Sequence, residues 1–202
     1  MIRGYYFITD AGLSVRGNLR DVRDAVRAGA AVVQYREKGK PTCEMVAEAC
    51  RIRRLCADTL FIVNDRVDVA LASRADGVHL GNDDMPYAAA RRLLGGKRII
   101  GVTVHSVREA RAAERAGADY VGVSPIFATS TKKDAGAPGG VGLVRRVRRA
   151  VSLPVVAIGG ITLENAPAVI GAGADAVCAV SAVVASPDPL RAVREFQRLF
   201  GK

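Results

Sequence analysis

Two acids draw attention through what precedes them. Asp65 follows the apolar run Leu60-Phe61-Ile62-Val63-Asn64, and Asp84 follows Gly77-Val78-His79-Leu80 across Gly81-Asn82-Asp83. Carboxylates at the ends of neighbouring strands can converge on one hard cation. Magnesium characteristically takes one or two carboxylates and leaves its other positions to water and phosphate oxygens. Spacing alone equally allows each acid to cap the helix that follows it. Arg36 and Lys38, in Gln34-Tyr35-Arg36-Glu37-Lys38, and Lys132, in Thr129-Ser130-Thr131-Lys132-Lys133-Asp134, are cations at comparable strand ends. There they would bind phosphate oxygens by charge-assisted hydrogen bonds, although a solvated loop is the alternative for Lys132 and Lys133.

The hydroxyls Thr129, Ser130 and Thr131, followed by Gly136, Gly139 and Gly140, are the usual material of a substrate-covering lid. Gly159-Gly160 and Ser181 fall where backbone N–H groups meet an anion in barrels of parallel strands; a tight turn with no ligand is the alternative. Thr103 and His105 end another apolar run. His79 and His105 lack a third nitrogen or sulfur ligand, which argues against zinc. His79 reads as a hydrogen-bonded structural residue, and the role of His105 stays open.

The elements that would position these residues repeat. Eight apolar runs, Tyr5 to Thr9, Val32 to Arg36, Leu60 to Asn64, Gly77 to Leu80, Ile99 to Val104, Tyr120 to Ser124, Val155 to Ile158 and Ala176 to Ser181, are each followed by a helix-like stretch. Their near-continuous apolarity is what strands covered on both faces require. Ala28-Gly29-Ala30, Ala116-Gly117-Ala118-Asp119 and Ala172-Gly173-Ala174-Asp175 close helices just before strands, with glycine suited to a left-handed helix end. Ser106 with Glu109, Asp84 with Pro86, and Asp188 with Pro189 mark helix starts. The expected fold is α/β, a single (β/α)8 TIM barrel, with residues 1–202 as one domain and the polar residues collected at the C-terminal ends of the strands. An open doubly wound sheet would carry a glycine-rich fingerprint where this chain has Thr9-Asp10-Ala11-Gly12.

Composition narrows the function classes. The chain has 202 residues, half of them apolar, with no uninterrupted apolar stretch of membrane-spanning length and no secretory leader pattern, so a cytoplasmic enzyme without a membrane partner is expected. Cys43, Cys50, Cys56 and Cys178 have neither metal nor disulfide spacing and read as reduced packing residues. The formal charge of +10 raises the possibility of a nucleic-acid binder, but scattered arginines and few aromatics favour no nucleic acid and a small anionic substrate. Arg145, Arg146, Arg148 and Arg149 read as a solvated helix face.

Taken in order, Tyr6-Phe7-Ile8-Thr9-Asp10, Val33-Gln34-Tyr35-Arg36-Glu37-Lys38, Val63-Asn64-Asp65-Arg66-Val67-Asp68, Gly77-Val78-His79-Leu80-Gly81, Pro125-Ile126-Phe127 with Thr129-x-Thr131-Lys132, and Ala157-Ile158-Gly159-Gly160-Ile161 resemble the thiamine phosphate synthase family. The resemblance spans nearly the whole chain. It implies condensation of an aminopyrimidine methyl diphosphate with a thiazole phosphate, releasing diphosphate. It implies magnesium on Asp65 and Asp84. The pyrimidine diphosphate would meet the Gln34-Tyr35-Arg36-Glu37-Lys38 segment and Asn64. Thr103 stands where the family has a serine near the aminopyrimidine, and Lys132 would contact the departing diphosphate. Thr129, Ser130, Thr131, Gly160, Val180 and Ser181 would lie on the thiazole phosphate side. A related branch, the thiazole tautomerases, shares a Val-His-Ser segment like Val104-His105-Ser106 but has no diphosphate to ionise, so retention of Asp65, Asp84 and Lys38 favours the synthase. The residues leave open whether the chain forms a homo-oligomer.

Overall fold

In a strand buried on both faces, the two-residue alternation decides which side chains enter a barrel and which meet the helices around it. The computed structural model describes residues 2–129, 131 and 136–201. Strands β1 (Gly4–Ile8), β2 (Val32–Tyr35), β3 (Leu60–Asn64), β4 (Gly77–Leu80), β5 (Ile99–Val104), β6 (Tyr120–Val123), β7 (Val155–Ile158) and β8 (Ala176–Cys178) form a closed barrel in sequence order. All pairings are parallel, with β8 returning to β1 through Gly4 opposite Ala176. Helices α1 (Asn18–Arg27), α2 (Thr42–Leu55), α3 (Val67–Ala72), α4 (Tyr87–Leu94), α5 (Val107–Ala116), α6 (Gly140–Ala150) and α7 (Ala166–Gly171) connect the strands, and α8 (Val180–Val184) and α9 (Pro189–Arg198) complete the described chain. Among the described residues no helix is long and apolar enough to cross a membrane.

Alternation sorts the core into two layers. Tyr6, Ile8, Val32, Ile62, Tyr120, Val156, Ala176 and Cys178 fill the barrel interior as one cluster. Their neighbours Tyr5, Phe7, Val33, Tyr35, Phe61, Val63, Val121 and Val177 join the helices in the other. Two tyrosines inside so narrow a barrel need space, and glycines in the middle of strands provide it. A Cβ on Gly101 would sit 2.0 Å from Cζ of Tyr120, and one on Gly122 would sit 2.9 Å from Cε1 of His79.

At the N-terminal ends of the strands one joint recurs. Gly29, Gly117 and Gly173 take positive φ of 85°, 91° and 105°, as expected, and Arg74 takes the same position at 54°. After each, the next amide closes the helix on a carbonyl five residues back: Ala30 on Ala25, Ala75 on Ala70, Ala118 on Ala113, Ala174 on Val169. Three joints add an aspartate. Asp76, Asp119 and Asp175 each accept an amide from the first two residues of the preceding strand, from Phe61, Ile100 and Val155, all at 2.8 Å. The same oxygens take Arg53 of α2, Arg91 of α4 and Arg148 of α6 at 2.6, 2.6 and 3.0 Å. In the first quarter Gln197 of α9 substitutes, its Oε1 accepting Tyr5 N–H at 2.7 Å. Arg148 is therefore bound rather than part of a purely solvated arginine face.

Local expectations were met unevenly. Ser106 and Asp188 cap α5 and α9, accepting Glu109 N–H and Arg191 N–H at 3.2 and 3.0 Å. Asp84 does not start α4, whose N-cap is Pro86, and Asp65 does not cap α3, whose N-cap is Arg66. The last strand stops at Cys178 because Ala179 (φ −122°, ψ 78°) turns the chain directly into α8, so Val180 and Ser181 are helical rather than extended. The four cysteines are free, with Cys56 and Cys178 buried.

Two stability measurements test this account. Gly101→Ala places a methyl inside the Tyr120 ring and should cost about 2 kcal/mol or more in urea unfolding. Arg74→Gly relieves a left-handed non-glycine residue at an exposed joint and should raise stability by about 1 kcal/mol.

Candidate active site

The C-terminal mouth of the barrel holds two adjoining cavities, of about 250 and 90 Å³. The larger is lined by Gln34, Arg36, Lys38, Asn64, Asp65, Asp84 and Thr103, all singled out by the sequence. The smaller is lined by Thr129, Thr131, Gly160, Val180 and Ser181, which were expected together, and again by Arg36. Ile8, Ser124, Ile158 and Cys178 also border both. The two cavities thus share a wall.

The acids are placed by backbone geometry. Asp65 N–H donates to His79 O at 2.9 Å, extending the β3–β4 ladder by one residue. Arg66 N–H then turns back to Asn64 O at 2.7 Å. This tight reversal puts Asp65 at φ 60°, an uncommon conformation for a residue other than glycine and one that clusters at functional sites. Its carboxylate meets the Lys38 ammonium and the Asn64 amide. Asp84 is drawn inward because its Oδ2 accepts Gly81 N–H at 2.6 Å. Burial, and then the adjacent Asp65 carboxyl, raise its pKa above the ordinary aspartate value. Two carboxylates so close repel unless a cation lies between them.

Arg36 is held through its main chain. Its N–H donates to Thr9 Oγ1 at 2.9 Å, and Thr9 Oγ1 donates back to Arg36 O at 3.1 Å. Its guanidinium reaches Asp10 at 3.4 Å. At the smaller cavity a Cβ on Gly160 (φ 60°) would lie 2.4 Å from Ala128 O, so only glycine permits this close crossing of the loops after β6 and β7. Asn165 fixes the crossing by donating to Gly160 O at 3.0 Å.

Two of the expected residues face away from both cavities. Tyr35 points outward, opposite in alternation to Gln34, and its hydroxyl donates to Glu48 Oε2 of α2 at 2.7 Å. Glu37 folds onto its own loop, accepting Lys38 and Gly39 N–H at 2.8 Å and facing Lys40 at 3.5 Å. Neither lines a cavity; they brace the loop that carries Lys38. Ser130 and Lys132 lie outside the described residues. His105 lies outside both cavities, with its ring on Ser124 O and its N–H donated to Glu109.

Tyr6 and Tyr120, which were not among the expected site residues, form the floor of the larger cavity. Alternation offered the signal, since Tyr6 stands two residues before Ile8, and Tyr120 pairs with Gly101, the residue that makes room for it. His79 is hydrogen-bonded, as expected, through Nδ1 to Tyr120 and Nε2 to Thr103, both at 2.9 Å.

Comparison with known proteins agrees with this arrangement. Residues 5–183 match the family model described as thiamine monophosphate synthase. A thiamine-phosphate synthase of Methanosarcina barkeri is 56% identical over 95% of this chain and 88% of its own. One from Chloroflexus aurantiacus is 54% identical over 96% and 91%. The solved structure of a thiamine phosphate pyrophosphorylase from Pyrococcus furiosus superposes with a TM-score of 0.90, at 41% identity over 97% of this chain and 94% of the other. With matching barrel, ordered motifs and nearly full-length identity, this chain belongs to the thiamine monophosphate synthase family.

Proposed function

We propose that the chain is a transferase that joins an aminopyrimidine methyl diphosphate to a thiazole phosphate, giving thiamine phosphate and diphosphate. The observation that carries the assignment of sites is the shared wall. The larger, cation-bearing cavity suits the diphosphate substrate. The smaller one, with the Thr129 and Thr131 hydroxyls, Gly160 and the first turn of α8, suits the thiazole phosphate. The reacting atoms would meet across Arg36 and Ser124.

Breaking the bond to diphosphate develops negative charge on the leaving group and positive charge on the pyrimidine methylene. Lys38 and Arg36 stand ready for the former. Asn64 and Gln34 would orient the ring, so positioning does much of the work. Three side chains of the shared wall offer little to capture the methylene wrongly. Ile8 and Ile158 are hydrocarbon, and burial pushes the Cys178 thiol far above its ordinary pKa, keeping it protonated and weakly nucleophilic.

Asp65 and Asp84 fit magnesium. They are adjacent oxygen donors at the cavity rim, their proximity disfavours two unshielded charges, and among the described residues no cluster of three His, Cys, Asp or Glu suggests a closed all-protein metal cage. A bound magnesium ion would neutralise the diphosphate. The tautomerase alternative has its histidine outside both cavities, and a nucleic-acid role finds three arginines already paired at the opposite end of the barrel.

Incubating folded protein with both substrates and magnesium should yield thiamine phosphate and diphosphate in equal amounts, and absence of both products would refute the assignment. Asp65→Asn and Asp84→Asn should each lower kcat/KM by about 100-fold or more. Near-normal rates at saturating magnesium would remove the metal role. His105→Ala should change the synthase rate by no more than about twofold.

A further inference from the structure

Beneath the larger cavity, side chains from five strands touch in one unbroken line. Gln34 Nε2 donates to Tyr6 Oη at 2.8 Å, Tyr6 Oη meets Tyr120 Oη at 2.8 Å, Tyr120 Oη meets His79 Nδ1 at 2.9 Å, and His79 Nε2 meets Thr103 Oγ1 at 2.9 Å. The His79 ring stacks on Tyr120 with centroids 5.4 Å apart, in space that a Cβ on Gly122 would occupy.

Hydrogen counting gives the line a direction. An amide nitrogen can only donate, so Tyr6 Oη accepts from Gln34 and has one hydrogen to give. Tyr120 Oη is its partner in the line. If Tyr120 donated to Tyr6 instead, the Tyr6 O–H would point at no acceptor in the line at a site 1% exposed, a costly arrangement. Tyr6 therefore donates to Tyr120, and Tyr120 donates to Nδ1 of His79. A neutral imidazole then carries its hydrogen on Nε2 and donates it to Thr103 Oγ1. Thr103 is left as an acceptor from below and a donor into the cavity. Burial raises the pKa of both phenols well above the ordinary value, which keeps the two hydrogens in place.

We propose that Gln34, Tyr6, Tyr120 and His79 are positioning residues that fix Thr103 as a hydrogen-bond donor, so that this position selects a heteroaromatic ring presenting an unprotonated ring nitrogen. The proposal rests on placing the pyrimidine in the larger cavity. It gives the floor of the barrel a part in specificity, through an oriented chain that ends on a single hydroxyl.

The chain has two histidines, so long-range proton–nitrogen spectra of histidine-labelled protein, with His105→Asn for assignment, report the His79 tautomer without any turnover. The Nε2–H form is expected in the parent and a mixture of tautomers in Tyr120→Phe. An Nδ1–H parent, or a tautomer unchanged in Tyr120→Phe, overturns the relay. In turnover assays Tyr120→Phe should raise KM for the pyrimidine substrate about tenfold while changing kcat less. In a Thr103→Val background the same change should add less than about twofold, because the hydroxyl it orients is gone. A full tenfold effect persisting there overturns the proposal. If Tyr120→Phe does not fold, Tyr6→Phe tests the line instead: Tyr120 still has only Nδ1 of His79 to donate to, so the Nε2–H form is expected to persist, and a shift to the Nδ1–H form overturns the relay. If the parent makes no thiamine phosphate, the assignment of function fails, while the tautomer still decides the direction of the line.

Discussion

A polar atom enclosed in a barrel must find a partner within the barrel. The tyrosines at the centre obey this rule by pairing with each other, and the requirement passes outward through Gln34 on one side and His79 on the other until it reaches the cavity. The upper layer of the core and the lower layer of the site are thus one set of side chains. Gly101 and Gly122 belong to that set as much as the rings do, because they supply the room in which the rings meet. Without this pairing the interior would have to be hydrocarbon, and the cavity floor would have no polar order.

The two ends of the barrel divide their work. At the N-terminal ends, three arginine–aspartate pairs each hold a strand amide and tie helix to sheet, as expected of the stability face of this fold. At the C-terminal ends the corresponding charges are held by short, strained or self-bracing segments. Asp65 sits in a left-handed turn, Arg36 is clamped by Thr9, and Lys38 rides on a loop tied by Glu37 and Glu48. Similar residue types thus serve opposite purposes according to which end of a strand they follow.

The barrel was readable in the chain because each strand is a dense apolar run and glycine marks most helix ends. The fourth joint escaped notice because Arg74 takes the left-handed position that glycine holds elsewhere. Most of the site was readable for a different reason, since charged residues directly after apolar runs have few places to go except the mouth. What the chain order does not carry is orientation. Tyr35 and Glu37 sit between genuine cavity residues, and membership of a motif says nothing about which way a side chain points, whereas alternation from Gln34 turns Tyr35 outward. Tyr6, Tyr120 and His79 were legible as residues but not as a network, because their partnership joins strands that are neighbours only once the barrel has closed.

Closure itself depends on residues far apart in the chain. The Tyr5 amide near the start of β1 is sealed by Gln197 of α9, and Tyr5 stacks on Phe196 with centroids 5.1 Å apart. During synthesis the first strand is made long before the helix that satisfies it. Three quarters of the ring contain their own aspartate clasp, but the first quarter borrows its clasp from the last helix. A nascent chain would therefore carry the Tyr5 amide unpaired until α9 has been made and has packed, which ties the sealing of β1 to an element made much later.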